Sequence, residues 1–427
     1  MKRVLSRSIS LIAASVVSLT AVLSPALAAS NRQSDPPDPY RIVALGDSVS
    51  VGYEPTEAIR SGKEAPYGYV DRLYEQALFR ERATLSNYAI LGLTTAGLTN
   101  LLQGAIDGTP LASADLQDAF DARAVPHVDD VAKRTKELAA DLAEADLVVL
   151  TVGGNDFSHL VKAVNGQPAP SARQIIQDAF QKTMNNYTED LDKMMTRLHE
   201  LAPQARIVLA DQYLPLFKGH DLYPLLLEKV EELANHLDLF AGTMNEKGIT
   251  LEIARVGEKF AGKESAYTYF NAWDGYDIHP KQAGYEAMAQ AFAEAIWPDG
   301  YRKPSPRADG APLTIVINGK EPPSKPVVVN NTTFLALRDV ADAVGATLNW
   351  HQATKTAVFK KDGKEVIVAV GAETIVVNGE TRPLATPAYF QQDGKLLKTY
   401  VPLAVISEGL DYQVVFRKPI MTAFINS

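Results

Sequence analysis

The chain contains no cysteine among its 427 residues. This absence excludes disulfide bonds, thiol catalysis, metal sites built from cysteine, and a membrane anchor attached to a lipid-modified cysteine. A basic surplus is also lacking, because 42 Lys and Arg stand against 51 Asp and Glu and give a net charge of −9. Such a chain offers no basic face to nucleic acid and is poorly suited to electrostatic docking on anionic lipid.

Patterns typical of metal and phosphate sites are missing as well. The sequence has no His-Glu-x-x-His motif, no calcium-binding loop and no phosphate-binding loop of the usual pattern. Gly153-Gly154 is followed by Asn155-Asp156, where a phosphate loop would carry a lysine. We therefore expect no metal and no cofactor.

Long apolar runs are confined to the N-terminus. Lys2 and Arg3 precede an apolar stretch from Ile9 to Leu23, and Ala26-Leu27-Ala28 has the small-x-small form of a cleavage site. This pattern predicts a secretory signal peptide over residues 1–29. We expect the mature protein to be secreted or cell-wall associated, since no other run is long enough to span a bilayer.

The next part of the sequence alternates apolar, strand-like runs with amphipathic, helix-like segments. The runs lie at 42–45, 84–89, 147–152, 205–210 and 249–256. Apolar strands separated by helices predict a parallel sheet covered on both faces. The functional groups of such a sheet lie beyond the carboxyl ends of its strands.

Composition changes after this part and suggests two further boundaries. We predict a catalytic domain over 36–298, a proline-rich linker over 299–312 and a small α+β module over 313–427. Within the module, Thr314-Ile-Val-Ile-Asn-Gly-Lys320 recurs as Thr374-Ile-Val-Val-Asn-Gly-Glu380. Each Asn-Gly pair predicts a hairpin turn, and two such units are expected to share one core.

Ser48 is the first candidate for chemistry. The run Ile42–Leu45 ends at Gly46, and a strand that breaks into a helix there would present the Ser48 hydroxyl beside free backbone N–H groups. An ordinary helix cap by Asp47 or Ser48 explains the same residues. Catalysis would also require a base and donors for an oxyanion.

His279 is the candidate base among seven histidines. It lies in the loop Asp277-Ile-His-Pro280, just before the last helix, and Pro280 suits the first turn of that helix. This position allows His279 to fold back toward Ser48. The other histidines stand in helical or polar contexts typical of the surface, for example His199 and His236.

Four blocks of residues together resemble the SGNH, or GDSL-type, hydrolases. They are Gly46-Asp-Ser-Val-Ser-Val-Gly52, Asn87-Tyr-Ala-Ile-Leu-Gly92, Gly153-Gly-Asn-Asp156 and Asp277-Ile-His-Pro280, in the order that the family has them. The resemblance implies an α/β fold with a three-layer, flavodoxin-like parallel sheet flanked by helices. It also implies that Ser48 is the nucleophile, that His279 is the general base, and that the oxyanion hole is formed by the Ser48 and Gly92 N–H groups and the Asn155 amide.

One position departs from the family pattern. The family usually places an aspartate three residues before the histidine, where this chain has Tyr276. Asp277, Asp274 or a backbone carbonyl could orient His279 instead, and we favour Asp277 as the third catalytic residue. The segment from Leu98 to Asp130 could be a lid over the site or a surface insertion, and its composition slightly favours the insertion.

The C-terminal module resembles the copper amine oxidase N-terminal-like domain found on exported proteins of Gram-positive bacteria. The residues that carry this resemblance are Ile317-Asn-Gly-Lys320, Phe334-Leu-Ala-Leu-Arg-Asp-Val340 and Val344-Gly-Ala-Thr-Leu-Asn-Trp350. Copper binding is not expected, because His351 is the module's one histidine and cysteine is absent. A stalk or wall-association role is expected, with a stabilising appendage as the alternative.

These residues predict a secreted serine carboxylic-ester hydrolase of the lipase/esterase type. Its substrate would be an acyl ester or an acetylated glycan, its module would contact a cell-wall component, and nucleic acid is not expected as a partner. A carbohydrate O-acetyl esterase acting on wall or plant polysaccharide is one alternative. A non-catalytic binding protein on a degenerate hydrolase fold is the other.

Overall fold

The N-terminal part of the chain is built on one five-stranded sheet. A computed structural model describes residues 37–164, 166–270 and 277–427, except for the side chains of 407 and 408. The predicted signal peptide and Asp274 lie outside these residues. The strands are β1 (Tyr40–Gly46), β2 (Ala83–Asn87), β3 (Leu147–Thr151), β4 (Arg206–Ala210) and β5 (Leu251–Ala254).

All pairings in this sheet are parallel, in the order β2-β1-β3-β4-β5.

None of the helices among the described residues is long and apolar enough to cross a membrane. The helices of this part are α1 (Ser48–Val51), α2 (Glu57–Arg60), α3 (Tyr69–Leu78), α4 (Thr95–Asp107), α5 (Ser113–Leu116), α6 (Val125–Ala132), α7 (Thr135–Ala143), α8 (Ser158–Val164), α9 (Ala169–Leu201), α10 (Tyr223–Glu246), α11 (Val256–Phe260), α12 (Glu264–Tyr267) and α13 (Gln282–Ile296).

Alternate residues of the interior strands enter two different hydrophobic cores. In β1, Val43 and Leu45 belong to the core that contains α4 and α9 side chains, whereas Ile42 and Ala44 belong to the core beside α3 and α13. A strand buried on both faces needs apolar side chains at every position, which explains its uninterrupted apolar run. The predicted fold class, a parallel sheet flanked by helices, is confirmed.

The segment from Leu98 to Asp130 is not a surface insertion over its whole length, because its first part belongs to the core. Leu98, Leu101 and Leu102 of α4 are fully buried in the core between α9 and the sheet. The segment is therefore the ordinary connection from β2 to β3, packed on one face of the sheet. Its small and acidic residues concealed the apolar stripe of α4.

The C-terminal module consists of three small sheets and two helices. The sheet orders are β13-β12-β11-β10-β9, β14-β15-β8-β7 and β16-β17-β6. Its elements are β6 (Thr314–Ile317), β7 (Val327–Val329), β8 (Thr332–Ala336), α14 (Leu337–Val344), β9 (Thr347–His351), β10 (Thr356–Lys361), β11 (Lys364–Ala369), β12 (Thr374–Val377), β13 (Glu380–Pro383), β14 (Tyr389–Asp393), β15 (Leu396–Pro402), α15 (Ala404–Leu410), β16 (Gln413–Arg417), a 3₁₀ turn (Lys418–Ile420) and β17 (Thr422–Asn426).

The two sequence repeats contribute to one core but do not have the same local structure. Asn378-Gly379 forms the predicted hairpin between β12 and β13, with both residues at positive φ. Asn318-Gly319 makes a similar turn, but it is closed by a single bridge between Ile317 and Lys320, and Gly319 packs against the carbonyl of Phe79, which follows α3. Contact with the α/β part thus replaces the second arm of the first hairpin.

The module packs directly on the α/β part beside α3 and the edge strand β2. Asn426 donates to the Leu78 and Glu81 carbonyls, each at 2.8 Å. The Gln413 carboxamide pairs with the backbone of Ala83, accepting its N–H at 3.0 Å and donating to its carbonyl at 2.8 Å. These contacts join the two parts in one compact unit.

Arg417 supplies the ionic contact of this interface, and its removal is expected to destabilise the protein. Its guanidinium donates to Asp71 at 3.0 Å and to Glu75 at 3.1 Å, and Glu75 is almost fully buried. In Arg417→Met the buried Glu75 carboxylate loses its cation, so the free energy of unfolding should fall by about 3 kcal/mol.

Urea unfolding of the full chain measures this loss. The control is Arg123→Met, which breaks an exposed ion pair with Asp121 and should leave stability unchanged. Equal stability of Arg417→Met and the wild type would show that this ionic contact contributes nothing to stability.

Candidate active site

Ser48 lies where the interior strand β1 turns into the short helix α1. Gly46 ends the strand with a φ of +112°, and a Cβ at this position would meet the carbonyl oxygen of Thr151 at 2.0 Å. Only glycine permits so close an approach of two backbones. The turn therefore places Ser48 just beyond the carboxyl end of β1, as the sequence predicts.

Asp47 stabilises this turn through the hydrogen bonds of its carboxylate. Its carboxylate accepts the Val49 N–H at 3.0 Å and the Thr151 hydroxyl at 2.8 Å. The Ser50 hydroxyl continues the network to Thr151 at 2.8 Å and to the Tyr69 hydroxyl at 2.7 Å. Burial raises the pKa of Asp47 to about 6, against the lowering effect of its hydrogen bonds. Asp47 is thus the helix cap that the sequence suggested as one explanation of this turn, whereas no sequence pattern indicated the buried hydroxyls.

The structure brings Ser48, His279 and Asp277 together in one chain of hydrogen bonds. His279 Nε2 lies 2.8 Å from Ser48 Oγ, and His279 Nδ1 lies 2.7 Å from Asp277 Oδ1. An ionised carboxylate can only accept, so Nδ1 carries the ring proton and Nε2 is free to accept the hydroxyl proton of Ser48. The two sequence candidates separated by 231 residues are thus in direct contact.

Asp277 meets the imidazole although it stands only two residues before it. Its Oδ1 also accepts the backbone N–H of His279 at 3.0 Å, which closes a tight turn around the carboxylate. Burial acts to raise the pKa of Asp277, but the hydrogen bond and charge of His279, together with the charge of Arg60, bring it below its usual value. The carboxylate is therefore ionised at neutral pH.

The loop that carries His279 is anchored by aromatic residues. Tyr213 donates its hydroxyl to the Ile278 carbonyl at 2.8 Å, and the Tyr269 N–H donates to the His279 carbonyl at 3.0 Å. The Tyr53 ring stands edge-on to the imidazole, with 4.8 Å between ring centroids. These contacts hold the ring in the plane that the Ser48 contact requires.

A buried carboxylate, Glu54, connects both sides of this loop to the segment after α1. It accepts the Tyr269 hydroxyl at 2.8 Å and also the Gln282 amide. Gln282 in turn accepts from Arg72 at 2.7 Å. Glu54 carries no signature that sequence reasoning could have detected, since its partners are more than 200 residues away.

Gly92 and Asn155, the other two predicted oxyanion donors, lie in neighbouring loops at the same edge of the sheet. Gly92 is exposed, with a φ of +78°, and its N–H has no hydrogen-bond partner within the described residues. Asn155 is half-buried, and its Nδ2 donates to the Leu93 carbonyl at 2.9 Å. One amide hydrogen of Asn155 is thereby used, and the second remains for a ligand.

The Asp156 side chain holds the residues that follow Gly92 by accepting hydrogen bonds from Thr95. Its carboxylate accepts the Thr95 N–H at 3.1 Å and the Thr95 hydroxyl at 3.2 Å. Burial raises the pKa of Asp156 to about 6, and the two bonds from Thr95 oppose this shift. The Asn155-Asp156 pair thus holds the start of α4 against the end of β3.

Asp211, which follows β4 at this edge, has a structural contact. Its Oδ1 accepts the Gly257 N–H at 2.8 Å, and burial raises its pKa to about 6.

Among the described residues, no cluster of three or more His, Asp or Glu side chains has an arrangement that could hold a metal ion.

The raised pKa of Asp211 predicts a pH-dependent stability. Because the folded-state value of about 6 exceeds the usual 3.8, this group contributes stability below about pH 4 that is lost as the pH rises through about 6. Asp211→Asn is neutral throughout and keeps an acceptor for Gly257. Relative to the wild type, this variant should gain about 2–3 kcal/mol in unfolding free energy between about pH 4 and about pH 7. Urea unfolding at both pH values measures the difference, and a pH-independent difference would contradict the prediction.

Comparison with known proteins finds similarities in sequence and in structure. The chain is 22% identical to the uncharacterized protein YpmR of Bacillus subtilis (strain 168) over 176 residues, which are 40% of this chain and 61% of YpmR. Phospholipase A1 from Streptomyces albidoflavus NA297 is similar in structure, with a TM-score of 0.41, 17% identity, and coverage of 60% of this chain and all of that one. An extracellular lipase from Streptomyces rimosus gives a TM-score of 0.41 and 18% identity, with coverage of 60% and 99%.

Family models match both parts of the chain. The model of the copper amine oxidase N-terminal domain matches residues 316–421, within the C-terminal module. The model of the GDSL-like lipase/acylhydrolase family matches residues 44–287, more than half of the chain and all four blocks around the site. On this match, with a parallel sheet that carries the four blocks at one edge, the chain belongs to the GDSL-like lipase/acylhydrolase family.

Proposed function

We propose that the protein is a secreted serine carboxylic-ester hydrolase that works through an acyl-enzyme on Ser48. The observation that carries this proposal is the hydrogen-bond chain from Ser48 Oγ through His279 to Asp277. A serine hydroxyl is a weak nucleophile until a base removes its proton, and this arrangement supplies the base and orients it. Secretion is proposed from the pattern of residues 1–29.

In the first half of the reaction Ser48 Oγ attacks the ester carbonyl carbon while its proton passes to His279 Nε2. The carbonyl oxygen gains the negative charge, and the Ser48 N–H, the Gly92 N–H and the Asn155 amide would stabilise it. The intermediate then breaks its bond to the alcohol oxygen, which takes the proton from Nε2. The products are the free alcohol and an acyl ester of Ser48.

In the second half water replaces the alcohol. His279 Nε2 accepts a proton from water, the resulting hydroxide attacks the acyl carbon, and a second oxyanion forms on the same donors. The Ser48 oxygen leaves with the proton from Nε2, so the acid is released and the enzyme is regenerated. Asp277 stays ionised and stabilises the imidazolium in both halves.

Hydrolysis of nitrophenyl esters by the protein without residues 1–29 tests the activity, with acetate, butyrate, octanoate and palmitate as acyl groups. Strict preference for acetate would favour the alternative of a carbohydrate O-acetyl esterase, and acetylated xylan and acetylated peptidoglycan would then be assayed. Activity on longer acyl groups favours a lipase or general esterase.

Covalent labelling by an alkyl fluorophosphonate separates an enzyme from a binding protein on a degenerate fold. We expect a single phosphonylated peptide that contains Ser48. An intact, folded protein that neither reacts with the probe nor hydrolyses any ester would overturn the proposal.

A further inference from the structure

The turn that carries Gly92 is held from two sides. On one side Asn155 donates to the Leu93 carbonyl and Asp156 accepts the Thr95 N–H. On the other side lies Gln117, which follows α5 directly and has an extended backbone conformation. Asn155 and Asp156 belong to one of the four sequence blocks, whereas Gln117 belongs to none of them.

All four hydrogen-bonding positions of the Gln117 carboxamide are in use. Its Nε2 donates to the Gly92 carbonyl and to the Ala119 carbonyl, each at 3.1 Å. Its Oε1 accepts the Thr94 N–H at 2.9 Å and the Thr94 hydroxyl at 3.1 Å. A carboxamide is the neutral side chain that combines two N–H donors with an oxygen that has two lone pairs, so Gln117 matches this set of partners.

These bonds fix the peptide group next to the one that carries the Gly92 N–H. The Gly92 carbonyl accepts from Gln117, and the N–H of the same peptide group, that of Leu93, donates to the Ile90 carbonyl at 3.2 Å. Gly92 has no side chain and is exposed, so its backbone torsions would otherwise be free to vary. Holding the following peptide at both ends restricts the direction of the Gly92 N–H.

We propose that Gln117 is a positioning residue that aims the Gly92 N–H at the oxyanion. The inference rests on the proposed function. It assigns a role to the connection from β2 to β3, which supports the oxyanion hole from outside. An oxyanion donor contributes mainly in the transition state, because the negative charge on the carbonyl oxygen develops there.

Loss of this support should therefore lower kcat and leave KM nearly unchanged. We expect Gln117→Ala to lower kcat about tenfold, less than the 10²–10³ typical for removal of an oxyanion donor itself. Gln117→Glu keeps an acceptor for Thr94 but turns a carboxylate oxygen toward the Gly92 carbonyl, so its kcat should fall further. Affinity for a boronic acid that forms a tetrahedral adduct with Ser48 should fall in parallel with kcat/KM.

The matched control is Asn100→Ala. Asn100 donates to the Leu116 carbonyl at 2.9 Å, so it ties α4 to the same short helix without touching the Gly92 turn. Thermal unfolding of all variants identifies any that are not folded, and Gln117→Asn serves if Gln117→Ala fails to fold.

The experiment has three outcomes. A fall in kcat and in boronic acid affinity for the Gln117 variants but not for Asn100→Ala supports the proposal. Unchanged kcat in folded Gln117 variants, or an equal fall in Asn100→Ala, overturns it while leaving the proposed function intact. A folded wild type that hydrolyses no ester and does not react with a fluorophosphonate overturns both.

Discussion

Replacement of Ser48 by alanine is expected to lower kcat for ester hydrolysis by about 10⁶-fold, with little change in KM. The alanine side chain has no oxygen to form the acyl-enzyme, while the oxyanion donors and the substrate contacts stay in place. Residual activity would come from a water molecule that His279 activates directly. Initial rates on the preferred nitrophenyl ester, at saturating and at low substrate concentration, give both constants.

Ser61→Ala is the control for this variant. Ser61 is an exposed serine at the end of α2 whose hydroxyl bonds only to backbone carbonyls of its own helix within the described residues. Its variant should keep full activity and full labelling by a fluorophosphonate. Normal hydrolysis by a folded Ser48→Ala protein would disprove catalysis by Ser48.

Replacement of Asp277 by asparagine is expected to lower kcat by about 10⁴-fold. Asparagine can still accept the His279 backbone N–H, so the turn should be preserved. The neutral amide, however, no longer stabilises the imidazolium that forms when Nε2 accepts the Ser48 proton, and an amide nitrogen turned toward the ring favours the tautomer in which Nδ1 is unprotonated and Nε2 carries the proton. In that tautomer Nε2 cannot accept a proton from Ser48, which lies 2.8 Å away.

Asp274→Asn is the discriminating partner of this experiment. Asp274 is the alternative orienting residue suggested by the sequence, and its variant should retain wild-type kcat if Asp277 has the role. A large loss in Asp274→Asn together with a small loss in Asp277→Asn would reverse the assignment. Nuclear magnetic resonance of the His279 ring protons would report the change of tautomer directly.

The layered sheet could be predicted because its causes are local. A strand buried on both faces must be almost entirely apolar, as Leu147 to Leu150 is, and a strand that ends in a tight turn against its neighbour needs a glycine such as Gly46. The last helix, Gln282–Ile296, follows the His279 loop as predicted, because its start is marked by Pro280. Patterns of this kind can be identified in the sequence without knowledge of the tertiary contacts.

Contacts between distant residues left no such pattern. Glu54 with Gln282, Gln117 with Gly92, and Arg417 with Glu75 are ordinary polar side chains whose partners are chosen by the fold. The buried hydroxyl network behind Asp47 is hidden for the same reason. The sequence therefore predicted the reacting groups of the candidate site but not the residues that hold them.

Asp277 is an instructive intermediate case. A family pattern with the carboxylate three residues before the histidine made its role doubtful. In the structure a carboxylate two residues before the histidine reaches the imidazole, since the same oxygen binds both the backbone N–H and the ring of His279. Spacing in a loop is a weaker constraint than in a helix or strand, because a turn can absorb the difference.

The pairing of Gln413 with Ala83 has a consequence for the α/β part on its own. Strand β2 is at the edge of the parallel sheet, and the carboxamide of Gln413 occupies the backbone groups at its beginning as a neighbouring strand would. An open edge of this kind invites pairing between molecules and leads to aggregation. A protein shortened before the module would expose that edge together with the Phe79 ring, which packs on Phe424. We therefore expect the module to protect the α/β part from aggregation.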